Sequence, residues 1–205
     1  MVTLKAKYLT LPLALSIFSI FCFSCSRDEK SPDPGELGFR VDTTLLEDEF
    51  VENELGLSFS PPVGCSKLPD EITDRALVSL PDKGLMGDSS LVQPQYTFFN
   101  QQDGVVCIVS LLPHLTTTQS EILSYQNLVR QNFPTAKLEQ GQFRHNNIDF
   151  FQTLIMTTNT VIFKLVIPRD HRSLQFDYVI PQNIYIDKIR AIESSIGSIR
   201  TINPS

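Results

Sequence analysis

The chain has 205 residues, 41% hydrophobic and 20% charged, a balance that excludes a wholly disordered protein. A formal net charge of −6 speaks against a nucleic-acid binder, which carries a basic stripe. Four cysteines and three histidines, widely scattered, exclude a zinc-cluster protein.

Lys5 and Lys7 precede an uncharged run from Tyr8 to Ser26. This is the basic start and apolar middle of an export signal. The run is shorter than the roughly 20 apolar residues of a spanning helix, and Pro12 interrupts it. Phe23-Ser24-Cys25-Ser26 sets a small residue directly before a cysteine at the end of the run. These residues resemble the lipobox of bacterial lipoproteins. The resemblance implies removal of residues 1–24 as a signal peptide and lipidation of Cys25 as the first mature residue. It implies no residue of catalysis. The family's leucine three places earlier is Cys22 here, and bulky Phe21 makes Cys22 a poorer acceptor. The other reading of Cys25 is an ordinary apolar residue of the signal. Several acyl chains together hold a protein firmly, because each buried methylene adds about 0.8 kcal/mol. Ser26, where the family's inner-membrane members often have Asp, favours the outer membrane, and Ser26-Arg27-Asp28-Glu29 is similar to the acidic export signals of some surface lipoproteins.

Residues 26–54 hold ten acids and three bases, with Pro32, Pro34, Gly35 and Gly38 among them. With Cys25 they read as an acidic, solvated tether, residues 25–54. Thr44 to Glu47 has the spacing of a capping box and predicts at most a short helix. Residues 55–205 carry thirteen acids and twelve bases, so the expected folded domain is nearly neutral and the acidity belongs to the tether.

From Leu55 a short strand ends at Pro61-Pro62. A helix is predicted over 69–80, with Pro69 in its first turn and Ile72, Ala76 and Leu80 on one face. A loop follows over 81–95. Strands at 96–99 and 105–112 are joined near Asp103-Gly104. Thr118 to Glu121 is a second capping box, opening a helix with Ile122, Tyr125, Val129 and Phe133 on or near one face. Four strands, 137–145, 148–157, 160–168 and 173–180, form an antiparallel meander, with Phe150 and Phe151 on opposite faces. A closing helix from about Ile184 is striped by Ile189, Ile192, Ile196 and Ile199. The fold class is therefore α+β, an antiparallel β-sheet flanked by helices.

Gly56-Leu-Ser-Phe-Ser-Pro-Pro-Val-Gly64, Val161 to Leu165 and Ile192 to Ile196, in this element order, resemble the PsbP-like family over roughly residues 55–202. The resemblance implies a PsbP-like αβα sandwich and a mostly accessory or partner-binding role. The family's aromatic after the first-strand proline is missing; Cys65 stands near that place.

Cys65 and Cys107 are either a disulfide pair or two separate buried thiols. A bridge would close a loop of about 43 residues and constrain the unfolded chain by about 4 kcal/mol at most. His114, His145 and His171 lack metal-ligand spacing and read as polar loop residues, with His145 and Asp149 flanking one turn. Gly84 and Gly87 make no phosphate loop, and Gly197-Ser198 makes no nucleophile elbow. Glu47-Asp48-Glu49 reads as a solvated charge run. The loop at 81–95 is the preferred partner surface.

These features predict a non-catalytic bacterial envelope lipoprotein, lipid-anchored at Cys25, with an envelope protein partner and no metal, cofactor or nucleic acid. The alternative is a small ligand-binding or hydrolytic protein whose site is assembled from distant residues.

Overall fold

A seven-stranded antiparallel sheet is built from Ser66–Lys67 (β3), Gln93–Phe99 (β4), Val106–Leu112 (β5), Lys137–His145 (β6), Ile148–Met156 (β7), Thr160–Ile167 (β8) and Ser173–Pro181 (β9), numbered along the chain. Its spatial order is β3-β4-β5-β9-β8-β7-β6. A smaller three-stranded sheet joins Phe50–Glu52 (β1), Leu57–Phe59 (β2) and Arg200–Thr201 (β10), with β2 in the middle. Among the described residues, two helices are seen whole, α1 at Gln119–Asn132 and α2 at Tyr185–Ser198. The computed structural model describes residues 38–72, 92–112, 118–169 and 173–202, all within the compact unit Pro32–Ser205. The predicted helix over 69–80 lies mostly outside them. Its described start has Ile72 N–H bonded to Pro69 O at 3.0 Å.

The expected α+β class is the observed one. The central strands β5, β7, β8 and β9 alternate their side chains between two cores. On one face Phe150, Phe163, Leu165, Phe176 and Tyr178 pack beneath α2 and the small sheet. On the other, Phe151, Ile155, Ile162 and Val166 pack beneath α1 through Ile122, Tyr125 and Val129. Phe150 and Phe151 thus serve opposite layers, as their adjacency requires. The meander's turns follow their residues: Asn146 and Asn147 take φ of 50° and 61°, the left-handed pair of a two-residue hairpin.

The domain boundary needs correction. The folded unit includes residues 38–54, which the sequence assigned to the tether. Phe50–Glu52 pairs with β2, and the preceding strap, Gly38 to Leu46, lies on α2. Phe39 sits 5.5 Å from the Phe143 ring and 4.9 Å from the His145 ring. Only a glycine fits beneath it: a Cβ on Gly197 would come within 2.5 Å of Phe39 Cβ and 2.9 Å of Val41 Cγ2. Residues 38–54 contain six acids and one base. Most of the acidity therefore belongs to the folded unit and not to a leash.

Both capping boxes are also replaced. Around Thr43–Leu45 the chain makes a single 3-10 turn, capped by Asp42, whose Oδ1 accepts from Thr44 N–H at 3.1 Å and from the Thr44 hydroxyl at 2.6 Å. The Glu47 carboxylate instead accepts the Gly64 N–H at 2.5 Å. At α1, the Thr118 hydroxyl donates to Glu121 Oε2 at 2.5 Å and makes no cap bond to the backbone. A hydroxyl spent as donor to the carboxylate leaves the first-turn N–H groups to other acceptors.

Candidate functional site

Cys65 and Cys107 are two separate buried thiols here, with β4 running between β3, which Cys65 leads into, and β5. Burial pushes the Cys65 thiol up to about 12 and Cys107 well above its ordinary value. Such thiols stay protonated and are poor nucleophiles. Beside them a hydroxyl chain ties α2 to the end of β2. The Tyr178 hydroxyl lies 3.0 Å from Ser195 Oγ, which donates to Ser60 O at 2.7 Å. Ser195 has one proton, so the Tyr178 hydroxyl is the donor between them. Ser198, beside Gly197, accepts from Ser60 N–H at 2.9 Å and donates to Ser195 O at 2.6 Å. Its hydroxyl is occupied in fixing α2.

His145 and Asp149 do not meet across their turn. Asp149 pairs with Arg144 at 3.1 Å, while His145 Nε2 is 2.9 Å from Gly197 O. Asn146 Nδ2 donates to Ile199 O at 2.9 Å, so this hairpin closes the carbonyl end of α2. No group of His, Cys, Asp and Glu suited to a metal occurs among the described residues. Cys25, His114, His171 and residues 81–91 of the candidate partner loop lie outside them. The last residues of that loop are strand: β4 begins at Gln93 and Val92 is buried.

The sequence reading missed a buried polar layer under α1. Lys164 Nζ lies 2.8 Å from Asp177 Oδ1, and Gln175 Nε2 donates to Asp177 Oδ2 at 2.6 Å. The Tyr125 hydroxyl reaches down from α1 to Gln175 Oε1. Burial pulls the Lys164 pKa down, but the attraction of Asp177 and Tyr125 outweighs it, and the net shift is upward. The ammonium is therefore held charged. Ser110 Oγ and Thr97 Oγ1, in the same large sheet, are buried without a hydrogen-bond partner. This layer has its charges matched internally, which suits it to specifying how α1 seats on the sheet.

Among the described residues, open cavities at the other layer include these two. One, about 340 Å³, is lined by Gly38, Phe39, Arg40, Arg190, Glu193 and Ser194, where the strap crosses α2. The other, about 500 Å³, lies where the end of β8 meets the small sheet. Its walls include Asn53, Glu54, Pro168, Arg169, Thr201 and Ile202. The Arg169 guanidinium donates through Nη1 to Leu55 O and through Nη2 to Gly56 O, the latter at 3.1 Å. Gly56, at φ +58°, admits this approach; a Cβ there would stand 3.4 Å from Nη1 and 3.3 Å from Ile202 O. Arg169 lies two residues beyond β8 and faces the turn at Leu55 and Gly56, a placement that no motif marks.

No family model and no curated protein matches the chain. Among solved structures, it is similar to the solution structure of cyanobacterial PsbP (CyanoP) from Synechocystis sp. PCC 6803. That likeness has a TM-score of 0.48 at 12% identity and covers 82% of this chain and 98% of that one. A crystal structure from Bacteroides thetaiotaomicron VPI-5482 is similar at a TM-score of 0.39 and 9% identity, covering 76% of this chain and 48% of that one. Both are likenesses of backbone arrangement.

Proposed function

We propose that this chain is a bacterial envelope lipoprotein of non-catalytic, partner-binding type, held at the outer membrane by lipid on Cys25. The observation that carries the reading is Ser24-Cys25 at the end of an apolar run that follows Lys5 and Lys7. Gly38, the first residue described in the fold, follows Cys25 by thirteen residues. Such a link spans at most about 45 Å when fully extended. The folded unit is then kept near the membrane surface, which suits a protein that meets a partner there. Its buried ion pair and hydroxyl chain are consistent with this reading, since each is engaged in holding elements together, and its thiols are buried.

The test is labelling of the full chain with radioactive palmitate in a bacterial host. The label is expected in the wild type, with cleavage before Cys25, and is expected to vanish in Cys25→Ala. Label that persists in Cys25→Ala rules out the anchor. For the partner-binding half, the tagged full chain is cross-linked in intact envelopes; recovery of the chain alone argues against it. One observation favours a second reading, small-ligand binding: the open cavity walled by Arg169.

A further inference from the structure

We propose that the cavity walled by Arg169 binds a small oxyanion, a carboxylate or a phosphate. The proposal stands independently of the lipid anchor. A guanidinium has five N–H donors in a rigid fork. Arg169 directs two of them to the carbonyls of Leu55 and Gly56. The remaining three have no partner among the described residues.

Among the described residues its positive charge also has no ion-pair partner. Several surface cations in the described fold have carboxylates, as Lys188 has Asp103, Arg144 has Asp149 and Lys137 has Glu139, while the exposed Arg130 bonds the neutral Gln140. Arg169 has none among the described residues, although it is about half buried. Glu54 shares the cavity wall but forms no ion pair with Arg169. Burial holds the Arg169 pKa below its ordinary value.

Withdrawing a cation from water is unfavourable unless an anion accompanies it. Among the described residues its hydrogen-bond partners are two carbonyl dipoles, and the guanidinium borders a space of about 500 Å³. An oxyanion entering that space takes up the free edge of the fork in two parallel bonds, the strong geometry for arginine. Asn53 and Thr201, also in the wall, offer neutral hydrogen-bonding groups to the rest of the ligand. The carbonyl clamp holds the fork in place before the ligand arrives, so little side-chain freedom is lost on binding. A free phosphate, a lipid phosphate and a carboxylate metabolite share this chemistry.

The test is thermal unfolding of the full chain in detergent, at constant ionic strength, with inorganic phosphate or acetate replacing chloride. A saturable rise in Tm with half-effect at about 1 mM or below is expected for at least one of them. Phosphate alone, acetate alone or both then identifies the kind of oxyanion. Arg169→Lys keeps the charge and loses the fork, and at least a tenfold weakening is expected. Because that variant also disturbs the clamp, Thr201→Phe provides a second arm: it fills the cavity, leaves the clamp intact and is expected to abolish the saturable shift. Glu54→Gln is expected to tighten binding several-fold. Anions excluded from the surface stabilise without saturation and equally in all variants. That outcome, or no shift beyond chloride, overturns the proposal.

Discussion

Lys164 and Asp177 face each other across adjacent strands β8 and β9, 2.8 Å apart and only 3% and 2% exposed. The pair lies at the centre of the layer that α1 covers, with Gln175 and Tyr125 completing its hydrogen bonds. A matched pair of this kind contributes little net stability but is costly to break.

Asp177→Asn is accordingly expected to destabilise the protein by about 3–5 kcal/mol, because it strands a buried ammonium. Lys164→Met combined with Asp177→Leu is expected to recover most of that loss. The remainder is the Gln175 amide left without its acceptor, about 1–3 kcal/mol. Urea unfolding midpoints at unchanged m-value measure both. Equal losses in the single and double variants would falsify the role of the pair as a matched unit.

The thiols set a pH dependence. Their native pKa values are raised above the ordinary value of 9.0, so above that pH the unfolded chain releases protons that the native state retains. Stability is full below about pH 9 and falls as pH rises, by roughly 1.4 kcal/mol per unit for each thiol. Between pH 9 and 10 the fall is expected to be shallower in a Cys65→Ala, Cys107→Ala chain. Denaturant titrations at a series of pH values test this.

Reactivity follows from the same burial. Iodoacetamide at pH 8 is expected to leave Cys65 and Cys107 unmodified in the native protein and to alkylate both once it is unfolded, with no reductant present. Peptide mapping reads each site. A pair that resists alkylation in denaturant until reductant is added is a disulfide, contrary to the structure.

The position of the strap makes a truncation test. A chain beginning at Leu55 lacks Phe39 and β1, and with β1 goes Phe50, whose ring packs 5.9 Å from Phe59 and 5.2 Å from Phe98. Loss of cooperative thermal unfolding is expected for that chain, while one beginning at Gly38 is expected to keep it. Gly197→Ala probes the same contact by one methyl group. Overpacking of about 1–3 kcal/mol outweighs the gain of roughly 1 kcal/mol from better helix propensity. Faster hydrogen exchange at residues 38–42 is the expected readout.

The meander, the two helical stripes and the opposed phenylalanines were legible because each rests on local periodicity. The polar layer was not. Ser173, Gln175 and Asp177 alternate with apolar residues in β9, a pattern that ordinarily marks a solvent face, while Lys164 stands alone between Ile162 and Val166 on its face of β8. Whether that face meets water depends on α1, a separate segment, and on Tyr125 in particular. The strap was missed for a related reason. Its acids suggested solvation, whereas Phe39 and Phe50, too far apart to form a pattern, carry its docking. Strand β10, two residues long after α2, offers no periodicity to read. Arg169 likewise became visible only when the backbone of Leu55 and Gly56 arrived beside it.

The strap also has a mechanical consequence. Any tension applied through the chain ahead of Gly38 enters the fold at Phe39, wedged over Gly197 near the end of α2. Next in line are the Asp42 N–H bond to Ser194 Oγ, the Leu46–Pro62 bridge and then the three residue pairs of β1 with β2. The strand pairings within the seven-stranded sheet are pulled along the chain only after these have parted. A tug on the amino-terminal end is thus taken up first by a short, separable series of contacts, a fuse in front of the core.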